Sequence, residues 1–201
     1  KLTMDLTEID ALTRLGAAPN RVGIGYKPTT DKDFQQWFEK EGARLRELKA
    51  AGLPVTIEFG AGAMQHACQP LGRARPWLND KGEMQDTKMD FAWLPSWDPD
   101  FKKFVKLFVT EYGWPKGPVN AIKLWNEPWN GISISGWGAD DERYREIYTA
   151  MAEGLEEARK EAKAQVLIGG CDSSSNTFDK LFGDGSDRFL KWLDFLSVHY
   201  Q

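Results

Sequence analysis

The chain has 201 residues, 41% of them hydrophobic and 28% charged, which suits a soluble globular fold with one sizeable core, or part of a larger domain. A net charge of −4 excludes the basic surface that a nucleic-acid partner needs. No apolar run approaches the roughly 20 residues of a membrane span, so neither nucleic acid nor membrane is an expected partner.

Met4, Leu6, Ile9, Leu12 and Leu15 recur at helical spacing and predict a helix over 3–16, ending at Gly16. NRVGIGY predicts a short strand at 21–26. Thr30 and Asp31 can cap a long helix over 31–51, with Phe34, Trp37, Phe38, Leu45 and Leu48 inward and Gly52 as its stop. LPVTIEFG, with β-branched Val55, Thr56 and Ile57, predicts a second strand. From Gly60 to Asp98 no period holds. Trp77, Trp93 and Trp97 lie in this stretch, which points to a functional loop rather than plain disorder. The nine tryptophans, several of them in polar and irregular segments, suggest a surface that stacks on flat groups.

Asp98 and Pro99 open a helix that ends at Gly113. VNAIKLW predicts a third strand. Tyr144, Ile147, Tyr148, Met151, Leu155 and Ala158 mark an amphipathic helix over 140–163. QVLIGG predicts a fourth strand, SDRFLKWL a short helix, and DFLSVHY a fifth strand. There is no repeat, linker or low-complexity tract, so residues 1–201 are expected to belong to a single domain without internal boundary. Cys68 and Cys171 are too few for a disulfide framework and are expected to be free thiols. His66 and Cys68 offer half of a metal site with no second half, so no metal or other cofactor is indicated.

Alternating strands and helices predict a parallel sheet with helices outside it. A nucleotide-binding version should carry a Gly-rich turn after its first strand. GIGYKP is not G-x-G-x-x-G, and no phosphate-binding G-x-x-x-x-G-K-[ST] occurs. The barrel alternative predicts chemistry at the C-terminal strand ends. Tyr26, Glu58, Asn126, Glu127, Asp172, His199 and Tyr200 are expected there.

LWNEPWN, residues 124–130, sets a glutamate between an amide and a proline, with a tryptophan on either side, at the end of a buried strand. A carboxylic acid there can protonate a leaving oxygen if an apolar setting, helped by Trp125 and Trp129, favours its neutral form. Asn126 offers a donor and an acceptor without charge, suited to a sugar hydroxyl. Two carboxyls, hydroxyl contacts and aromatic platforms are the requirements of glycoside hydrolysis. A bare N-E-P arises by chance in roughly one chain in fifty of this size. The buried strand and paired tryptophans make the full pattern much rarer.

LWNEP at a strand end resembles the acid/base signature of clan A glycoside hydrolases, retaining enzymes on a (β/α)8 TIM barrel. GLPVTIEFG, FVTEYG, KLWNEPWNG, VLIGG and DFLSVHY together look most like glycoside hydrolase family 39 and its relatives. The resemblance implies an α/β fold in which this chain covers the first helix to the sixth strand of the barrel. It implies Glu127 as general acid/base and Asn126 as the ligand of the hydroxyl at carbon 2. His199 and Tyr200 match the end of the sixth strand and are candidates for contact with the sugar or the nucleophile. Glu58 is either a sugar contact or half of a structural ion pair. Trp129 and Trp137 either stack on a sugar or cap the barrel, and His66 is a further candidate contact. The second strand of these families often carries an Arg or His near its end. The matching positions here are Gly23 and Gly25, with Arg21 expected to face differently.

The retaining nucleophile of the clan, a glutamate ending the seventh strand, has no match within residues 1–201. Five strands are present where barrel closure needs eight. The expectation is a retaining glycosidase acting on an oligo- or polysaccharide, with the remainder of the barrel and its nucleophile supplied by a longer chain or a partner chain. The chain opens on Lys1 without a signal-peptide pattern, so residues ahead of it are expected; the sequence leaves the location open, action on polymers favouring a secreted or periplasmic one. Two alternatives stand beside it: a carbohydrate-binding barrel without turnover, and a doubly wound binding domain with a chance N-E-P.

Overall fold

The helical and β-branched segments become a helix-and-strand series whose main strands all run the same way. The structure, a computed structural model, describes residues 6–15, 20–26, 32–61, 77–78, 84–85, 92–128, 137, 139–173 and 185–199. In chain order the elements are α1 (Leu6–Leu15), β1 (Asn20–Tyr26), α2 (Lys32–Ala50), β2 (Val55–Ala61), β3 (Trp77–Leu78) and β4 (Met84–Gln85). A 3-10 turn at Pro95–Trp97 leads into α3 (Asp98–Tyr112), followed by β5 (Val119–Leu124), α4 (Asp141–Ala162), β6 (Leu167–Ser173) and β7 (Phe195–Val198).

Five strands pair in parallel in the order β1-β2-β5-β6-β7. That order never reverses along the chain. A doubly wound sheet reverses at a switch point, whereas an unreversed parallel series is the order of a barrel wall. The antiparallel pair of β3 and β4 stands apart from this sheet. Two-residue strands carry no periodic signal, which is why the sequence shows only an irregular stretch there.

Strand alternation divides the residues between two faces. Val22, Ile24 and Tyr26 of β1 and Val55, Ile57 and Phe59 of β2 are buried in a core shared with α2, α3 and α4. Val55 pairs with Val119 but Thr56 pairs with Ala121, so Asn120 is an extra residue on β5. This bulge sets Ile122 and Leu124 beside Ile57 and Phe59, and Lys123 beside Glu58 on the opposite face.

Aromatic packing fixes α3 on the sheet. Phe59 meets Phe101, Phe104 and Phe108 edge-on at ring separations of 5.5–5.8 Å. Each fully buried Phe contributes roughly 1.5–3 kcal/mol. The outer ion pairs of Lys102 and Lys106 with Glu153, Glu157 and Glu161 are part-exposed, and such pairs contribute about 0–1 kcal/mol each. Where α3 meets α4, a Cβ on Gly154 would stand 2.5 Å from the Lys102 carbonyl oxygen, so close approach requires glycine. Gly52, in the turn just after α2, has a φ of 72° that suits glycine. The Asp140 side chain caps α4 by accepting from the Arg143 N–H at 3.0 Å.

The short helix expected over 186–193 is not formed. Those residues make turns, with the Leu190 N–H on the Asp187 carbonyl at 2.9 Å and the Trp192 N–H on the Phe189 carbonyl at 3.0 Å. Eight residues with one apolar side offer too few bonds to offset helix nucleation.

Candidate active site

The sheet face opposite the helices is charged. Glu58 Oε2 lies 3.3 Å from Lys123 Nζ and 3.2 Å from Arg21 Nη1. Lys123 Nζ also donates to Ser197 Oγ of β7 at 3.4 Å. Arg21 Nη1 donates to Asn126 Oδ1 at 3.1 Å. The side chains of Lys123 and Glu58 are only 6% and 11% exposed. Charges so enclosed persist only when paired, and each supplies the other's counter-charge.

Glu127 stands at the end of β5, buried, with its Oε1 2.7 Å from Nδ1 of His199. A contact of that length is a hydrogen bond whichever group carries the proton. The backbone here is unusual: Trp125 has φ of 60° and Glu127 φ of 48°. The left-handed conformation costs a non-glycine residue roughly 1–2 kcal/mol, and the surroundings hold it. The Trp125 N–H donates to the Phe59 carbonyl at 2.7 Å, and the Tyr144 hydroxyl donates to the Leu124 carbonyl at 3.2 Å. The Trp125 indole packs edge-on against Trp137 at 5.0 Å and tilted against Trp93 at 6.1 Å.

Trp93 is itself anchored. Its indole N–H donates to Asp98 Oδ1 at 2.9 Å, and its carbonyl accepts from Arg143 Nη2 at 2.9 Å. Arg143 holds Asp98 through two parallel bonds of 2.6 and 2.7 Å. The loop before α3 and the first turn of α4 are thereby locked beneath the strand end that carries Glu127.

The structure brings Glu127, Asn126, His199 and Glu58 to one face of the sheet. Glu58 is held in ion pairs with Lys123 and Arg21. Trp137 is 4% exposed, with its indole N–H on the Ala139 carbonyl at 2.9 Å, the capping arrangement. Among the described tryptophans, Trp93, Trp125 and Trp137 are buried and pack beneath the strand end, whereas Trp114 is exposed. Tyr26, expected on the rim, is buried among Trp93, Phe101 and Phe104, because it shares the parity of Val22 and Ile24. Burial pushes its phenol pKa far up, with the charges of Asp100 and Asp98 adding, so it stays neutral. His66, Trp129 and Tyr200 and the side chain of Asp172 lie outside the described residues.

Arg21 corrects an expectation. Residues two apart on a strand share a face, so Arg21 stands with Gly23, and its guanidinium reaches Asn126 and Glu58. The period-two spacing in RVGIG was the available signal. Lys123 was hidden inside an apolar run and had no such signal.

No protein-family model and no curated protein matches the sequence. Solved structures do match. An endo-β-1,6-glucanase is 18% identical with a TM-score of 0.62, over 98% of this chain and 47% of the glucanase. The fold is that of a (β/α)8 barrel. The virulence factor SghA, in complex with its substrate analogue salicin, is 16% identical with a TM-score of 0.52, over 81% of this chain and 34% of SghA. The chain thus spans about half the length of the first barrel and a third of the second, and its five parallel strands form a contiguous arc of the α/β barrel wall.

Proposed function

We propose that this chain carries the acid/base side of a retaining glycoside hydrolase site, within a single catalytic barrel domain that acts on an oligo- or polysaccharide. The observation that supports this most directly is the 2.7 Å contact between His199 and the strand-end Glu127. It holds the carboxyl next to Asn126 just past the C-terminal end of β5, and C-terminal strand ends are where barrel enzymes carry their chemistry. The LWNEP signature and its resemblance to family 39 and other clan A enzymes point the same way.

In the proposed reaction Glu127, as the acid, protonates the glycosidic oxygen. A glutamate from the remainder of the barrel, in a longer chain or a partner chain, attacks the anomeric carbon and displaces the leaving group. The Glu127 carboxylate then takes a proton from water, whose oxygen releases the sugar with retained configuration. The two carboxyls are expected about 5–5.5 Å apart. Asn126 holds the hydroxyl at carbon 2, and His199 orients the acid.

Hydrolysis of alkyl glycosides and disaccharides by the full-length protein tests this. Glu127→Gln should lower kcat/KM by about 10²–10⁴. Undiminished hydrolysis in that variant would overturn the assignment, and sugar binding without any turnover would replace it with a binding role.

A further inference from the structure

The end of the sheet opposite Glu127 holds a cavity that the proposed reaction does not use. It has a volume of about 190 Å³ and lies where α2 and α3 end, beside the loop that leads into β5. Pro118 precedes the first residue of β5 and Glu127 follows the last, so one strand length, roughly 20 Å, separates the two places. The loop is pinned by its backbone. The Val55 N–H donates to the Pro118 carbonyl at 2.9 Å, the Gly117 N–H to the Gly113 carbonyl at 2.8 Å, and the Trp114 N–H to the Val119 carbonyl at 2.7 Å. The cavity is therefore preformed, as small-molecule sites usually are.

Its lining is divided by chemistry. The buried Tyr112, Gly117 and Pro118 form the floor, and Arg46, Lys49, Lys116 and Glu111 form the rim. Three cations against one carboxylate make the rim positive in a chain whose net charge is −4. Glu111 is taken up by Lys116 at 3.0 Å. Lys49 Nζ sits 3.5 Å from the centre of the exposed Trp114 ring, which holds that charge beside the cavity. Lys49 stands in the last turn of α2, where the helix dipole favours a cation. Arg46 stands a turn earlier and has no carboxylate partner among the described residues, so the dipole does not account for it.

We propose that this cavity is a second binding site and that it takes one sugar ring bearing a carboxylate, a uronate unit of a polysaccharide. The negative charge of the ligand follows from the rim alone, and the choice of a sugar rests on the glycosidase reading above. A guanidinium and two ammonium groups offer donors and no acceptor, which matches a carboxylate. The C–H face of a pyranose ring covers the carbon surface of the floor, which inorganic phosphate cannot do. Sites for drug-sized ligands begin at about 300 Å³, so this cavity takes a single ring and leaves the rest of a polymer outside. Such a site retains a charged chain on the protein between cleavages and touches no reacting atom.

The test is isothermal titration calorimetry on the full-length protein with methyl glucuronide, methyl galacturonide and methyl glucoside. At least one uronide should bind, more weakly as NaCl is raised from roughly 0.05 to 0.5 M. Inorganic phosphate at the same concentration should displace little of it. Arg46→Gln exchanges two good helix formers at an exposed position, so the fold should survive. It should weaken the uronide about 10-fold, the loss of one charged hydrogen bond tempered by solvent. Affinity for the glucoside and kcat/KM on a neutral aryl glycoside should not change. No uronide binding in the wild type, or uronide affinity unmoved by Arg46→Gln, overturns the proposal. Displacement by equal phosphate overturns it too, because the floor then contributes nothing. Binding here needs no turnover, so a failure of the glycosidase reading shows separately, as undiminished hydrolysis in Glu127→Gln.

Discussion

His199 Nδ1 lies 2.7 Å from Glu127 Oε1 across 72 residues of sequence. The pair joins the last described residue after β7 to the motif after β5, so one imidazole sets the direction of the carboxyl. His199→Phe keeps the ring volume and removes the bond. We expect kcat to fall about 10- to 100-fold with KM changed by less than about 3-fold, because an oriented acid matters in the transition state more than in binding. Steady-state kinetics on an aryl glycoside would show this. An unchanged kcat would mean that the contact plays no part in turnover.

Glu127 has two proposed tasks that can be separated. Glu127→Ala removes the acid needed by poor leaving groups and the base needed by water. Azide is an anion and needs no base to attack. Azide should therefore restore turnover of a substrate with an activated leaving group and give a glycosyl azide of retained configuration, identified by NMR. In its absence the loss should be about 10²–10⁴-fold. No acceleration by azide would count against the second task.

The Arg143–Asp98 pair predicts a stability effect distant from the reacting atoms. The Arg143 side chain is 7% exposed and that of Asp98 19%. Asp98→Asn leaves a buried cation with weaker partners and should cost about 2–4 kcal/mol in urea unfolding, slightly less than a fully buried pair. A loss below about 1 kcal/mol would show that Glu146 and the Trp93 carbonyl suffice to hold Arg143.

Gly154→Ala sets two effects against each other. Alanine gains roughly 1 kcal/mol of helix propensity. Its Cβ would stand 2.5 Å from the Lys102 carbonyl oxygen, a backbone atom that cannot swing away. Overpacking of this kind costs about 1–3 kcal/mol, so net destabilisation is expected. A more stable variant would mean that α3 and α4 separate easily.

Glu142 gives a pH dependence with a definite sign. Hydrogen bonds from Arg188, together with Arg145, lower its pKa below the ordinary value of 4.5. The folded state thus holds the ionised form more tightly than the unfolded chain does. This stabilisation is present above the unfolded pKa and is lost as pH falls through the lower folded value. Glu142 is well exposed, so the effect is small. The melting temperature of the wild type should exceed that of Glu142→Gln at pH 7 by at most a few °C, and the gap should close below about pH 4. A gap independent of pH would assign the difference to packing.

The helix-facing residues were legible because they repeat. Val55, Ile57 and Phe59 alternate, and Tyr144, Ile147, Tyr148, Met151 and Leu155 recur at helical spacing, so β2 and α4 fall within a few residues of where their patterns place them. The reactive strand end was legible because Asn126, Glu127 and Pro128 form an unusual cluster. The charged layer beneath it was not. Arg21, Glu58, Lys123 and Ser197 come from four separate strands, and their association depends on sheet register and on the bulge at Asn120. Local periodicity carries no information about register. The burial of the tryptophans was equally hidden, because an indole in an irregular segment looks the same in sequence whether it faces solvent or a core.

Trp125 and Glu127 have left-handed backbone, and Asn126 lies between them. A regular strand would send Asn126 and Glu127 to opposite sides of the sheet. The two turns in backbone hand cancel that alternation, so neighbouring residues converge on one side. What a protein engineer would have to transplant is therefore a backbone path with its clamps, the Phe59 carbonyl and the Tyr144 hydroxyl, rather than a string of letters. The same three residues grafted onto an ordinary strand terminus would leave the amide and the acid back to back.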